Sequence, residues 1–429
     1  MRNTGYVYTL IIMVFLLILI SLVSYYVVIS QPTVTDAVNK MQTDELYYFV
    51  EAVKTDYGRS VAISSQRSLA YLISYAVQNR VTFDNYEMRS CTAFHYETNG
   101  SQAAAVELMY CGTLYGNPDI LKDVMENHTL IQWSQRMADK GDDINLIVDA
   151  KPVSIEIIPA DSWKFYVVSK LDLTVYDKLN QSFYRGYSIP VVSEVAVDAL
   201  EDPLYAIKTG RSDLVRYLTP CNSSQGVNAS VVGSWLDTEC YLSATNAPSF
   251  FDRLDGSLNA SQKYADQTEK MRNLGFEPQP IGMESFADID EFAYYNVSVA
   301  YNLSWVDHYY WNQIPGYCTI INFTTHPDFK VDDEHAMRYY IQELNCSITA
   351  GMTSFQPDTI TVPVNTTLTW ANVNPTDSCN LLLSVPNWYT EELIPGEQYS
   401  LVFNETGDYS MNCSLYPTAL VYSGMIHVR

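Results

Sequence analysis

The feature that most constrains this chain is a run of 23 uncharged, mainly apolar residues near its N-terminus, VYTLIIMVFLLILISLVSYYVVI, at positions 7–29. A helix needs about 20 such residues to cross the hydrocarbon core of a bilayer. The apolar core of a cleaved signal peptide is shorter, about 7–15 residues, and SYYVVISQP is a poor cleavage site. The run therefore predicts an uncleaved transmembrane anchor over residues 1–30.

Charges on the two sides of this run predict its orientation. Arg2 precedes it, whereas Asp36, Lys40, Asp44 and Glu45 follow it. Because positively charged residues tend to remain in the cytoplasm, the N-terminus is expected inside the cell and the bulk of the chain outside. The expected location is the cell membrane, as a single-pass protein.

Thirteen Asn-x-Ser/Thr sequons follow the apolar run, and none precedes it. Such sequons are acceptors for N-linked glycans in exported proteins. They are Asn99, Asn127, Asn180, Asn222, Asn228, Asn259, Asn296, Asn302, Asn322, Asn345, Asn365, Asn404 and Asn412. Their number and placement predict an extracellular glycoprotein.

The eight cysteines all lie beyond residue 90. An even number of cysteines in an exported chain is typical of disulfides, and the absence of Cys-x-x-Cys argues against zinc ribbons and thioredoxin-type sites. Eight cysteines allow 105 pairings, so the order is open. Proximity along the chain favours Cys91–Cys111, Cys221–Cys240, Cys318–Cys346 and Cys379–Cys413.

The charge balance limits the class of partner. Acidic residues outnumber basic residues 49 to 25, which gives a net charge of −24. Binding of nucleic acid needs clustered Lys and Arg, so no nucleic-acid partner is expected. An acidic balance of this size is typical of a solvated surface.

Residues 31–84 are predicted to form a helical stalk that continues the membrane helix. Apolar residues such as Leu46 and Val53 recur there at helical spacing. Pro32 is expected to interrupt or kink the helix, and Gly58 is a candidate for dividing it in two.

Residues 85–345 predict an α+β region. NHTLIQWSQRMADKG has a helical pattern that Gly141 is expected to end. INLIVDAKPVSIEII, WKFYVVSKLDLTVYD and YSIPVVSEVAVD alternate apolar and polar residues, which indicates an antiparallel sheet. VDDEHAMRYYIQEL predicts a further helix with Asp332 as its N-cap.

Residues 346–429 show the alternation of apolar and polar side chains that is typical of strands, with Pro, Gly and Asn between the strands. A Greek-key β-sandwich fits this pattern. The predicted fold class is therefore α+β, with an N-terminal transmembrane helix and stalk, a central α+β region and a C-terminal sandwich.

The last segment resembles the cupredoxin family of plastocyanin-like domains. The matching pieces are F-x-P-D-T-I-T-V-P-V, T-L-T-W-A-N, I-P-G-E-Q-Y-S-L-V-F, G-D-Y-S-M-N-C and G-M-I-H-V, in the family order. The resemblance covers most of residues 350–429 and implies a cupredoxin-like fold.

The resemblance also implies that the copper ligands are lost. The family's first histidine falls at or near Cys379, its cysteine at Cys413 and its second histidine at Tyr416, while Met425 follows rather than precedes Gly424. A blue-copper site needs two imidazoles beside the thiolate. Because the family's first histidine and its cysteine touch one ion, the resemblance implies that Cys379 and Cys413 form a disulfide that joins the two copper loops.

The N-terminal stretch R-N-T-G-Y-V-Y-T-L, followed by a hydrophobic helix, resembles archaeal pilin-like surface proteins. This resemblance implies a chain that is able to assemble into filaments.

Two segments allow a functional interpretation beside a structural one. THPDFKVDDEH contains the histidines and acidic residues His326, Asp328, Asp332, Asp333, Glu334 and His335. These residue types suit a divalent metal ion, but acidic residues are also favoured at a helix N-terminus. WVDHYYW is either a sugar-stacking platform or an ordinary packed aromatic segment. No Gly-x-Ser-x-Gly elbow, phosphate loop or His-Glu-x-x-His is present, so an enzyme is not expected.

These features predict a membrane-anchored, glycosylated extracellular surface protein with a structural, adhesive or interaction role. Its expected partners are the membrane, through residues 7–29, N-linked glycans, and copies of itself or other surface proteins. The alternatives are a pilin-like filament subunit and an ectoenzyme or metal- or solute-binding ectodomain. No cofactor, metal ligand or catalytic residue is predicted.

Overall fold

The structure is a computed structural model. It describes residues 4–88, 91, 99–178, 183–222, 227–273, 275, 277, 282–287, 292, 294–297, 311, 316–326, 329–385 and 389–429. For residues 4–5, 29–39, 42, 121, 265, 268 and 270 it describes the backbone alone. The sequons Asn180 and Asn302, Asp328, and all of the WVDHYYW segment except Trp311 lie outside the described residues.

One helix, α1 (Thr4–Asn79), takes up the first 76 described residues. Its segment Tyr6–Val28 has a mean hydropathy of 2.8 and is 0% buried, so the chain has an apolar helix long enough to cross a membrane. The helix passes Pro32 and Gly58 without ending. Gly58 therefore does not divide it: a Cβ there would lie 3.4 Å from Val191, so the glycine lets a strand approach the helix closely.

The second half of α1 packs inside the protein and is not a free stalk. Leu46, Val50, Val53 and Tyr57 are buried in a core that continues to Val77. The helical spacing seen in the sequence is the side of α1 that faces this core.

A three-stranded antiparallel sheet covers α1, in the order β1 (Leu146–Pro159), β2 (Lys164–Asp177) and β3 (Phe183–Ala196). The predicted alternation is confirmed: β2 buries Phe165, Val167, Leu171, Leu173 and Val175. Tyr57 and Ser169 hydrogen-bond through their hydroxyls at 2.5 Å, which fixes the helix on the sheet.

Shorter helices complete this first unit. They are α2 (Ser101–Cys111), α3 (Asp119–Asp123), α4 (Leu130–Asp143), α5 (Pro203–Thr209), α7 (Phe250–Leu254) and α8 (Gln262–Asn273). A further helix, α6 (Ala229–Thr238), packs in the second core instead. The prediction that Gly141 ends α4 is wrong, since the helix continues to Asp143. A Cβ on Gly141 would lie 2.4 Å from Val148, so the glycine serves the contact with β1.

Two sheets form the C-terminal sandwich. One has the order β13-β10-β7-β6 with β8 beside β7, and the other the order β12-β11-β14-β15-β9. Their strands are β6 (Cys318–Ile320), β7 (Leu344–Ala350), β8 (Phe355–Gln356), β9 (Thr359–Val362), β10 (Thr366–Asn372), β11 (Ser378–Leu383), β12 (Tyr389–Leu393), β13 (Gln398–Phe403), β14 (Gly407–Tyr416) and β15 (Val421–Val428). Trp370 of one sheet donates to Met411 Sδ of the other at 3.5 Å, across an apolar core.

The sandwich begins earlier than the predicted residue 346. Strand β6 pairs with β7, and Cys318 lies directly opposite Cys346. The same core also includes Val232 and Leu236 of α6. A three-residue strand is too short to show alternation, which is why the sequence pattern missed β6.

The two units meet at a short antiparallel ribbon, β4 (Tyr241–Ala244) with β5 (Gly282–Ser285). Glu284 of β5 accepts a hydrogen bond from His335 Nε2 at 2.8 Å. His335 lies in α9 (Asp333–Arg338), which Asp332 caps as predicted. Asp333 in turn accepts from the backbone of Thr361 in β9 at 2.7 Å, so α9 connects the ribbon to the sandwich.

The interior of the first unit contains ionised groups. Asp202 is the N-cap of α5 and accepts from the Tyr241 hydroxyl at 2.8 Å and from Arg253 Nε at 3.0 Å. The Arg253 and Asp202 side chains are 0% and 1% exposed. Because a buried charge is costly unless it is paired, each of these groups depends on the other.

Candidate functional site: the loop end of the sandwich

The structure joins the eight cysteines in four disulfides, the pairs that proximity along the chain favours: Cys91–Cys111, Cys221–Cys240, Cys318–Cys346 and Cys379–Cys413. No free cysteine is left among the described residues.

The disulfide at the copper-like position differs from its expected geometry. Cys379 lies in β11 and Cys413 in β14, two neighbouring antiparallel strands, with their Cα atoms 5.5 Å apart. The bond therefore joins two strands of one sheet and does not join two loops. Both residues are fully buried, so the sulfurs belong to the core.

The copper-like position Tyr416 is 69% exposed. His427, the one histidine of residues 346–429, lies at the opposite end of β15, where its Nδ1 is 2.7 Å from Asp408 Oδ1. Within the described part of the chain no group of three or more His, Cys, Asp or Glu side chains is placed to hold a metal ion.

The histidines of THPDFKVDDEH point to different partners. His326 Nε2 lies 3.2 Å from Asp237 of α6, whereas His335 reaches Glu284. The acidic residues at this point belong to the first turn of α9. This arrangement matches the helix N-terminus interpretation of the segment.

One end of the sandwich gathers four loops that are distant in sequence. Strands β7 and β10 run parallel and end together, at Ala350 and Asn372. Strand β13 starts at this end, β12 and β14 finish there, and β11 and β15 start there, as the antiparallel registers require. Loops 351–354, 373–377, 394–397 and 417–420 therefore meet at what we call the loop end.

Large apolar side chains are exposed at the loop end. They are Tyr416 (69%), Val421 (65%), Met352 (63%), Val373 (59%), Ile394 (49%) and Leu420 (42%). Single exposed apolar residues are ordinary, but a cluster on converging loops is typical of an interaction surface.

Hydrogen bonds between the loops hold this surface in shape. Asn372 Nδ2 donates to the carbonyls of Asp377 and Leu393 at 2.9 and 2.7 Å. Asp377 also accepts from the Thr418 hydroxyl of a third loop. Hydrogen bonds from Thr418 and Thr376 hold the pKa of Asp377 below its usual range, so the carboxylate stays charged. A preformed surface loses less entropy on binding.

The charge of the sandwich is one-sided. No Lys or Arg occurs between residues 346 and 428. The acidic residues of this stretch are Asp358, Asp377, Glu391, Glu392, Glu397, Glu405 and Asp408. The exposed Glu397 lies in a loop of the loop end itself.

The described sequons avoid the loop end. Asn322, Asn365 and Asn404 are exposed and follow or precede strands at the opposite end. None of the four loops at the loop end contains a complete sequon, since Asn374-Pro375-Thr376 has a proline at the excluded middle position.

Most other described sequons are also exposed: Asn99, Asn127, Asn222, Asn228, Asn259 and Asn296. Asn345 and Asn412 are half-buried within β7 and β14. Asn345 Oδ1 accepts from Thr369 at 2.9 Å. Those two are the acceptors that the fold makes least accessible.

No protein-family model matches the sequence, and no curated protein matches it. Among solved structures, it is similar to a purple cupredoxin from Nitrosopumilus maritimus at 25% identity, over 19% of this chain and 98% of that chain, with a TM-score of 0.16. A copper-containing nitrite reductase from Thermus scotoductus matches at 26% identity over 19% of this chain and 22% of that chain, with a TM-score of 0.17.

Auracyanin from Roseiflexus castenholzii matches at 16% identity over 20% of this chain and 96% of that chain, with a TM-score of 0.17.

Proposed function

We propose that this chain is a membrane-anchored, glycosylated extracellular protein that uses the loop end of its sandwich to bind other proteins. The observation that carries the proposal is the exposed apolar cluster on loops that hydrogen bonds fix in place. Unlike the opposite end, it carries no complete sequon.

The membrane part of the proposal is supported by the uncharged helix Tyr6–Val28, which is 0% buried. Residues 7–29 are then the anchor, with the N-terminus inside and the sandwich outside. Four disulfides and eleven described sequons suit that side of the membrane.

Protease treatment of intact native cells tests the topology. Added protease should shorten the protein to a small anchored stub. Protection of the C-terminal Arg429 would contradict the topology.

For the binding surface, a photoreactive benzoylphenylalanine in place of Tyr416 should give a cross-linked protein adduct. The same group in place of Tyr187, which is also exposed but lies on β3, serves as the control. Equal cross-linking at both positions, or none at Tyr416, would contradict a specific surface.

A sugar placed on the surface provides an independent test. Met352→Asn creates the sequon Asn-Thr-Ser within loop 351–354, and its glycan should abolish the adduct. Met352→Gln removes the same apolar side chain without adding a sugar, and the adduct should persist.

A filament subunit is the second candidate function. It is favoured by the fact that the exposed apolar helix continues unbroken into the core of the first unit. If the apolar helices of several copies packed together, their folded domains would lie on the outside of the helix bundle. Electron microscopy of sheared surface material with peptide identification tests this. Recovery only as a dispersed species in detergent would exclude it.

A further inference from the structure

A groove lies between α1 and α4 of the first unit. It encloses about 520 Å³ and is lined by apolar side chains of both helices, including Phe49, Val53 and Met137. Val53 and Met137 are buried, so they form its floor. This volume lies within the range of about 300–1,000 Å³ that is typical of binding pockets.

The charged side chains that line the groove differ in whether they have a partner. Glu51 pairs with Lys54 at 2.7 Å, and Asp56 accepts from Trp133 Nε1 at 2.8 Å. Arg59 and Lys140 also line the groove, are exposed, and have no ion pair among the described residues. The indole of Trp133 is neutral, so Asp56 keeps its charge. With Glu51 offset by Lys54, the groove offers an apolar floor on which Arg59 and Lys140 outnumber Asp56 and leave an excess of positive charge.

The loop end has the opposite properties. It presents apolar side chains such as Tyr416 and Val421, and the exposed Glu397 in another of its loops, on a sandwich without Lys or Arg from residue 346 to 428. An aromatic side chain is the kind of anchor that contributes most of the energy when it fills a pocket on a partner.

We propose that the loop end of one copy of this chain docks into the groove between α1 and α4 of a second copy. The inference rests on the proposed function, since it names the partner of the surface described there. The contact joins two different patches and is therefore heterologous, so copies add head to tail until a ring closes or an open array grows.

The test uses the full-length glycosylated chain in detergent micelles, followed by sedimentation over a range of concentrations. The unaltered chain should form a series of oligomers. Tyr416→Asp removes the anchor, and Arg59→Glu reverses a charge at the groove. Each should weaken association at least tenfold, equivalent to about 1.4 kcal/mol. Tyr187→Asp and Lys122→Glu, which change exposed residues elsewhere, should associate like the parent.

A mixture of the two variants makes the test specific. The Tyr416→Asp variant retains an intact groove, and the Arg59→Glu variant an intact loop end. An equal mixture should therefore form dimers and nothing larger. Absence of these dimers, or parent-like association of either variant alone, overturns the inference.

Failure of the inference is distinguishable from failure of the proposed function. If the parent is monomeric while the photoreactive group at position 416 labels a different protein on cells, the inference is wrong and the function stands. If the parent is monomeric and position 416 labels nothing, both are wrong.

Discussion

The two hydrophobic cores of this protein are stabilised in different ways. The first buries charged groups, with Arg253 against Asp202 and Glu284 against His335 at its border. Among the described residues of the sandwich no ion pair is buried, and two buried disulfides, Cys318–Cys346 and Cys379–Cys413, lie in the core instead. The first core combines matched charges with one disulfide, Cys91–Cys111, whereas the second depends on apolar packing and covalent links.

The largest expected effect comes from breaking a charge pair in the first core. Arg253→Met leaves Asp202 buried without its main partner, which should lower the free energy of unfolding by about 3–5 kcal/mol. Denaturant unfolding followed by circular dichroism measures this. Adding Asp202→Asn should recover part of the loss, because the uncompensated charge is then removed. A loss below about 1 kcal/mol would remove the contrast between the cores.

The matching change in the sandwich is removal of one of its covalent links, the Cys379–Cys413 disulfide. Cys379→Ala with Cys413→Ala should lower the free energy of unfolding of the sandwich by about 2–4 kcal/mol. The first core should keep its stability, so two transitions should separate in denaturant. An unchanged midpoint for the sandwich would show that its stability does not depend on this disulfide.

A smaller effect is expected from removal of the Asn372 side-chain amide at the loop end. Asn372→Ala removes the donor to the carbonyls of Asp377 and Leu393 and should lower the free energy of unfolding by about 1–3 kcal/mol. Asn380→Ala, on an exposed position of β11, is the control and should stay within about 0.5 kcal/mol. Equal effects of both variants would contradict the role given to Asn372.

The smallest effect concerns pH at the junction of the two units. Burial lowers the pKa of His335, but hydrogen bonds to Asp332 and Glu284 outweigh it and leave the pKa raised. The ion pair therefore stabilises the fold fully below about pH 6.5, the ordinary pKa of histidine, and this contribution is lost as the pH rises through the raised value.

Melting temperatures measured across this pH range check the sign. The parent should lose stability above about pH 6.5 relative to His335→Gln, which lacks the titrating group. Arg338 also contacts Glu284, at 3.2 Å, and keeps that carboxylate paired in both proteins. His128→Gln should follow the parent, and a parent curve parallel to that of His335→Gln would contradict the assignment.

The elements that could be predicted from the sequence are those with local patterns. The apolar helix, the alternation in β1 and β2, and the Asp332 cap all depend on residues close together in the chain. Gly58 and Gly141 show the limit. A local rule treats each as a break in the helix, but both are helical positions where a strand comes close: β3 at Gly58 and β1 at Gly141.

The loop end could not be predicted, because it is created by pairing between distant strands. Met352 and Val373 lie in separate turns and Tyr416 at the end of a strand, and only the registers of both sheets bring them to one end of the sandwich. The resemblance of the sandwich did indicate that Cys379 and Cys413 were neighbours, but not that both lie inside strands.

The placement of the disulfides has a mechanical consequence. Each closes a loop of only 19 to 34 residues, and each joins two cysteines that belong to the same core, so none links the two units. If the sandwich were pulled while α1 is anchored, the force would therefore act on the backbone and on the non-covalent contacts at the junction. No disulfide would share this force. Under tension the ribbon and α9 would separate first, and the sandwich would extend as an intact module on a longer tether.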